Sequence, residues 1–111
     1  MARSQLLKGT TALLVLAVLS EGELYGYEIA AQIRERSGAF IDPGEGWLYP
    51  ALHKLELEGA LEATWRESEI GPKRRYYRLT RKGTRMLAAQ SSEWESFARS
   101  VQRVTRGPAD A

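Results

Sequence analysis

Residues 46–61 read Gly-Trp-Leu-Tyr-Pro-Ala-Leu-His-Lys-Leu-Glu-Leu-Glu-Gly-Ala-Leu, and their spacing decides how the rest of the chain is organised. Leu48, Leu52 and Leu55 recur at helical intervals and give the segment one apolar face. The other face carries Trp47, Tyr49, Pro50, His53 and Lys54, with no acid before Glu56. A solvated helix face ordinarily alternates charges. This one offers rings, an imidazole and an ammonium, so it reads as a contact surface. Gly59 closes the helix, and Pro50 is expected in its first turn, where a missing N–H costs nothing.

Working outward, the period changes after Gly59 from 3.6 to 2. Leu61, Ala63 and Trp65 alternate with Glu62, Thr64 and Arg66. Beyond Ile70-Gly71-Pro72, the residues Arg75, Tyr77 and Leu79 alternate with Arg74, Tyr76 and Arg78. Two alternating runs about a Gly-Pro turn predict an antiparallel hairpin. Its tip spans Ser68 to Lys73, and Lys73-Arg74-Arg75 enters the returning strand, with Arg75 on the same face as Tyr77. On the N-terminal side, Leu6 to Leu19 reads as a mostly buried first helix ending near Gly22. A second helix follows from about Gly26 to Ser37, with Tyr27, Ile29 or Ala30, and Ile33 turned inward. Residues Ala39 to Glu45 are too rich in Pro and Gly to be helical. Thr80 is a good N-cap for a last helix running to about Arg103, roughly 35 Å if straight. Along it Gly83, Leu87, Gln90, Trp94, Phe97, Val101 and Val104 form a heptad seam. That seam is expected to pack on another chain, the alternative being that it folds back on its own core. Gly107 onward reads as a flexible tail.

The fold class expected is therefore mainly α with a small β-hairpin. It is a winged helix-turn-helix of three helices and a two-stranded wing over residues 1–79, followed by a long dimerisation helix over 80–106. In that order of elements the third helix enters the DNA major groove and the hairpin flanks it. The charge layout agrees. The chain of 111 residues has a net charge of only +2, yet residues 66–85 hold eight bases against two acids, while residues 1–65 hold five bases against nine acids. A local basic block points to a polyanion better than a bland total does. Tyr25 and Tyr27 open the second helix, whose N-terminal amides can hold a phosphate.

Other chemistries find little support. There is no Cys and only one His, so thiolate catalysis, disulfides, Cys-ligated metals and a His-based triad lack their parts. No cofactor, metal or enzymatic activity is expected. Arg3 and Lys8 before the apolar run Ala12–Leu19 imitate a secretory signal. The run spans eight residues, too few for a bilayer, and the core needs it. The expected setting is the cytoplasm, without a membrane.

The combination Leu24-Tyr25-Gly26-Tyr27-Glu28-Ile29, then Gly46-x-Leu48-Tyr49-Pro50-x-Leu52-x-x-Leu55-Glu56-x-x-Gly59, then Arg75-x-Tyr77-x-Leu79-Thr80-x-x-Gly83, resembles the PadR family of bacterial transcriptional regulators. The resemblance runs from about Leu6 to Val104 and fits the family's short form, with one C-terminal helix. It implies a homodimer, a two-fold operator in double-stranded DNA and, usually, repression. Trp47 stands where the family most often has Thr or Ser. Combined with the residue reading, the expected DNA contacts are Tyr25, Tyr27, Trp47, Tyr49, Pro50, His53, Lys54, Lys73, Arg74 and Arg75. Leu87, Trp94, Phe97 and Val101 are expected in the dimer seam. Some members of the family bind flat aromatic drugs or phenolic acids between subunits, which makes a small aromatic ligand a candidate partner there. A different class of function, a winged-helix module that recruits proteins without reading DNA, has no need of Lys73-Arg74-Arg75.

Overall fold

The long apolar run can be satisfied only by burial on most sides. In the computed structural model, which describes residues 9–108, it forms α1 (Thr11–Leu19), with Val15, Leu16, Val18 and Leu19 at 0–4% exposure. The helix begins at Thr11 after a turn at Gly9 and Thr10, so it does not run unbroken from Leu6. Residues before Gly9 lie outside the described residues. Around α1 pack α2 (Gly26–Arg36) through Ile29 and Ile33, and α3 (Glu45–Leu57) through Leu48, Leu52 and Leu55. Tyr27, expected inward on α2, is instead 73% exposed. At 100° per residue it lies some 160–200° from Ile29, so once Ile29 is buried Tyr27 must face out.

The wing forms in the register that period 2 requires. β2 (Leu61–Arg66) pairs antiparallel with β3 (Arg74–Leu79), from Leu61 opposite Leu79 to Arg66 opposite Arg74. Leu61 and Tyr77 are buried, and Ala63 and Leu79 pack partly against the core. The two-stranded wing expected from sequence is, however, part of a three-stranded sheet. A two-residue strand, β1 (Leu24–Tyr25), pairs with β3, Leu24 opposite Tyr77 and Tyr25 opposite Tyr76, giving the order β1-β3-β2.

Thr80 caps α4 (Arg81–Arg106) as expected, its Oγ1 accepting from the Gly83 N–H at 3.1 Å and its own hydroxyl donating to the Gly59 carbonyl at 2.6 Å. The helix runs three residues beyond Arg103. Its first turns belong to the body: Gly83 is buried against Ala60, and Met86 and Leu87 pack on the core. Leu87, expected in the seam, therefore packs partly on this chain's own core. Farther along, Trp94, Phe97, Val101 and Val104 are 43–81% exposed, and α4 projects from the body, so that the longest dimension of the described chain reaches 59 Å. The expected heptad thus divides into a covered proximal part and an uncovered distal part.

Candidate nucleic-acid interface

The outer side of α3 follows from its inner one. With Leu48, Leu52 and Leu55 buried, helical geometry turns Gly46, Pro50, His53, Lys54 and Leu57 outward. All five are exposed and none is acidic. Pro50, expected from sequence in the first turn, is not there. The helix starts at Glu45, with the Trp47 and Leu48 N–H groups already bonded to the Gly44 carbonyl, which places Pro50 in the second turn. There its ring removes the N–H that would have bonded the Gly46 carbonyl.

Tyr49 and Glu56 share the flank that faces the wing. Tyr49 is 47% exposed, and its hydroxyl lies over Gly26 at the start of α2, where even a Cβ would come within 2.6 Å. The ring thus rests on α2 while staying open to solvent. Trp47 lies on the other flank, partly buried against the core, its Nε1 enclosed without a hydrogen-bond partner among the described residues.

The outward face of the sheet is a stack of rings and cations. Tyr25 meets Tyr76 edge-on at 5.4 Å and lies 6.4 Å from Tyr27. The Arg74 guanidinium sits 4.5 Å from the Tyr25 ring and that of Arg66 4.7 Å from Tyr76. The Glu28 carboxylate accepts from the Tyr25 N–H at 3.1 Å, which occupies one of the α2 N-terminal amides proposed above for a phosphate. The basic residues of the wing differ in their partners. Arg66 pairs with Glu23, and Arg78 with Glu62. Lys73 stands 3.6 Å from Glu67 in an open, weak pair. Arg75 bonds Glu56 of α3 at 2.6 Å. Arg74 on the wing and Lys54 on α3 make no ion pair with a described residue.

These elements enclose a groove of about 420 Å³ between α3, the start of α2 and the wing. Tyr25, Tyr49, Lys73, Arg74 and Arg75 border it, together with Gly26, Trp65 and Tyr77. Tyr77 is nearly buried. Its phenol is pushed above the usual value first by that burial, with Glu56 and Tyr49 adding and Arg75 opposing. Of the residues expected to touch DNA, the fold gathers two groups: Pro50, His53 and Lys54 on the α3 ridge, and Tyr25, Tyr49 and the basic triplet at the groove. Tyr27 is exposed beside the second group, and Trp47 lies on the Lys54 side of the ridge, partly buried against the core.

Residues 15–89 match the family described as the transcriptional regulator PadR-like family. The chain belongs to that family. Among its curated relatives, an uncharacterised protein of Lysinibacillus sphaericus is 33% identical over 94 residues, covering 85% of this chain and 86% of that protein. The negative transcriptional regulator PadR of Bacillus subtilis is 36% identical over 75 residues, 66% of this chain and 40% of that longer protein. Among solved structures, a PadR-like regulator from Bacillus cereus superposes with a TM-score of 0.78 at 33% identity, covering 93% of this chain and 98% of its own. Bacillus subtilis PadR in complex with operator DNA gives a TM-score of 0.65 at 29% identity over 71% of this chain and 45% of its own.

PadR-family proteins are DNA-binding transcription regulators, not enzymes. Among the described residues no helix is long and apolar enough to cross a membrane, and no cluster of metal-ligating side chains occurs. The sequence reading passed over several residues of this PadR-like surface. Trp65 and Tyr77 could have been found from the alternation that places them on the face of Arg75. Glu56 and Gly26 stand in the family motif, but nothing in it shows their contacts, because each reaches a residue distant in sequence: Arg75 for Glu56, Tyr49 for Gly26.

Proposed function

We propose that this chain is a homodimeric repressor acting in the cytoplasm on a two-fold operator. The α3 ridge of Pro50, His53 and Lys54, with Tyr49 on its flank, reads base edges in the major groove. Lys73 and Arg74 neutralise flanking phosphates, which fix register and give salt-dependent affinity. Tyr25 and Tyr27, at the start of α2, add contacts beside the groove. Residues 1–79 then form the DNA-binding unit, 80–106 the dimerisation helix and 107–111 a tail. Trp94, Phe97 and Val101 meet their counterparts in a second copy, and a flat aromatic ligand entering between them releases the DNA.

The observation that carries the reading is the acid-free outer face of α3, beside a wing whose Arg74 has no carboxylate partner among the described residues. An acid-free face beside a guanidinium with no carboxylate partner leaves a local positive field that suits a polyanion. The relative from Bacillus subtilis bears the name of a negative regulator and has been solved with operator DNA, which supports the same reading. The test is fluorescence anisotropy with the chain's own promoter and with scrambled DNA across a salt series. Promoter DNA should bind more tightly, and Arg74→Ala should lower the slope of log affinity against log salt by about one unit. Lys54→Ala should relax preference at particular bases, by about 1–3 kcal/mol for a good contact. Equal affinity for both DNAs would refute operator reading and favour a protein-recruiting module.

A further inference from the structure

Arg75 differs from its two neighbours in the basic triplet. Its guanidinium donates to a Glu56 carboxylate oxygen at 2.6 Å, and the two side chains are only 38% and 27% exposed. Its Nε is enclosed without a hydrogen-bond partner among the described residues. Trp65 and Tyr77 flank it, with ring centres at 5.8 and 5.7 Å. Glu56 belongs to α3 and Arg75 to β3, so this pair bridges the helix and the wing. The sheet itself ties the wing to the body only as far as Tyr76 and Tyr77, where β1 ends. Outward of that tie the hairpin is held by side chains, and Glu56–Arg75 is the ion pair that fastens it to α3.

A phosphate contact would require Arg75 to leave this place. That would strand Glu56, half-buried and unpaired, beside the negative backbone of the DNA, which is costly for a charged group. Building on the DNA-binding reading above, we infer that Glu56 and Arg75 are positioning residues that fix the angle between α3 and the wing. The pair sets which phosphates Lys73 and Arg74 reach while α3 lies on its bases. Neither residue adds to the count of neutralised phosphates.

The decisive variant is Glu56→Gln, because the two roles predict opposite signs. If Arg75 were a phosphate ligand, removing the competing carboxylate would free it, tighten binding and steepen the salt dependence. As a positioning pair, Glu56→Gln weakens operator binding by about tenfold, the scale of one misplaced base contact, with an unchanged salt slope. The exchanged pair, Glu56→Arg with Arg75→Glu, recovers part of that loss. Circular dichroism melts establish that each variant is folded.

A second measurement needs no DNA. The sequence contains no Cys, so spin labels can be placed through Leu57→Cys and Glu69→Cys, both at exposed positions on α3 and the wing tip. Labelled chain diluted into unlabelled chain should give a narrow distance distribution. Glu56→Gln should broaden it and the exchanged pair should narrow it again. An unchanged distribution in Glu56→Gln, or operator binding as tight as the parent's, overturns the inference. Loss of operator preference in the parent chain, with distances behaving as stated, refutes the DNA reading and leaves the positioning pair standing.

Discussion

Gly83→Ala adds one methyl group at the place where α4 leaves the body. A Cβ there would lie 2.2 Å from the Ala60 carbonyl oxygen, 3.1 Å from its carbon and 3.3 Å from a Leu79 methyl. The Ala60 oxygen cannot swing aside, because it accepts the Thr80 N–H at 3.0 Å, and Thr80 in turn caps α4. The helix must therefore retreat by about 1 Å to reach an ordinary carbon–oxygen contact. Met86 and Leu87, which pack on the core one turn later, lose part of their contact in the same movement. Overpacking of this kind costs about 1–3 kcal/mol, against which alanine returns at most about 1 kcal/mol of helix propensity. The net expectation is destabilisation by about 1–2 kcal/mol, or a fall in Tm of roughly 10 °C. Urea and thermal melts followed by circular dichroism, at one fixed protein concentration, measure it. Gly46→Ala is the control: it also lies in a helix, but open space surrounds its Cβ position, so it should leave stability unchanged or raise it by up to about 1 kcal/mol. If Gly83→Ala proves as stable as the parent, the backbone contact at Ala60 does not seat the helix and the reasoning fails.

Other outcomes follow from the same geometry. Gly26→Ala would place a methyl group within 2.6 Å of the Tyr49 hydroxyl, which can rotate away; melts should shift little while operator affinity falls several-fold, about 1 kcal/mol for one displaced contact. Trp94→Glu puts a charge into the exposed distal face of α4, and in the proposed dimer it should shift sedimentation towards monomers relative to the parent; a dimer as persistent as the parent's would relocate the seam. Tyr77 keeps its proton in the fold above the ordinary tyrosine value of 10.0, whereas the unfolded chain releases it there. Its contribution is therefore fully present below pH 10 and is lost as pH rises through the folded value, so urea melts between pH 9 and 11 should lose stability less steeply in Tyr77→Phe.

Much of this was legible in the chain, and the failures have local causes. The three buried leucines of α3 and the alternation about Gly71-Pro72 marked the helix and the wing, because burial imposes those periods directly, whereas the pairing of particular residues across the wing came only with the structure. Thr80 announced its cap through its own side chain. By contrast, β1 is two residues long, and no period can show in two residues. Tyr27 cannot share the inward side of α2 with Ile29 and Ile33, because those two settle which side is covered. Proline's preference for a first turn misplaces Pro50, because the Gly44 carbonyl, two residues before the motif, already accepts the first helical hydrogen bonds. The Glu56–Arg75 bridge joins residues nineteen apart across two elements, a distance over which sequence pattern carries no contact information. The division of the α4 heptad at Leu87 depended on where the body ends, which only the packed structure defines.

That division makes α4 one helix with two sources of stability. Its first turns are paid for by contacts within the same chain, through Gly83, Met86 and Leu87. Its outer turns present Trp94, Phe97, Val101 and Val104 to solvent, and a helical segment held only by its own hydrogen bonds is marginal in water. Order in the outer arm is then linked to whatever covers those side chains, and in the proposed homodimer mass action would make it depend on protein concentration. Amide exchange should be slow around Leu87 at every dilution, and beyond Trp94 it should quicken as the sample is diluted. Each cell would in effect titrate the length of its own regulator.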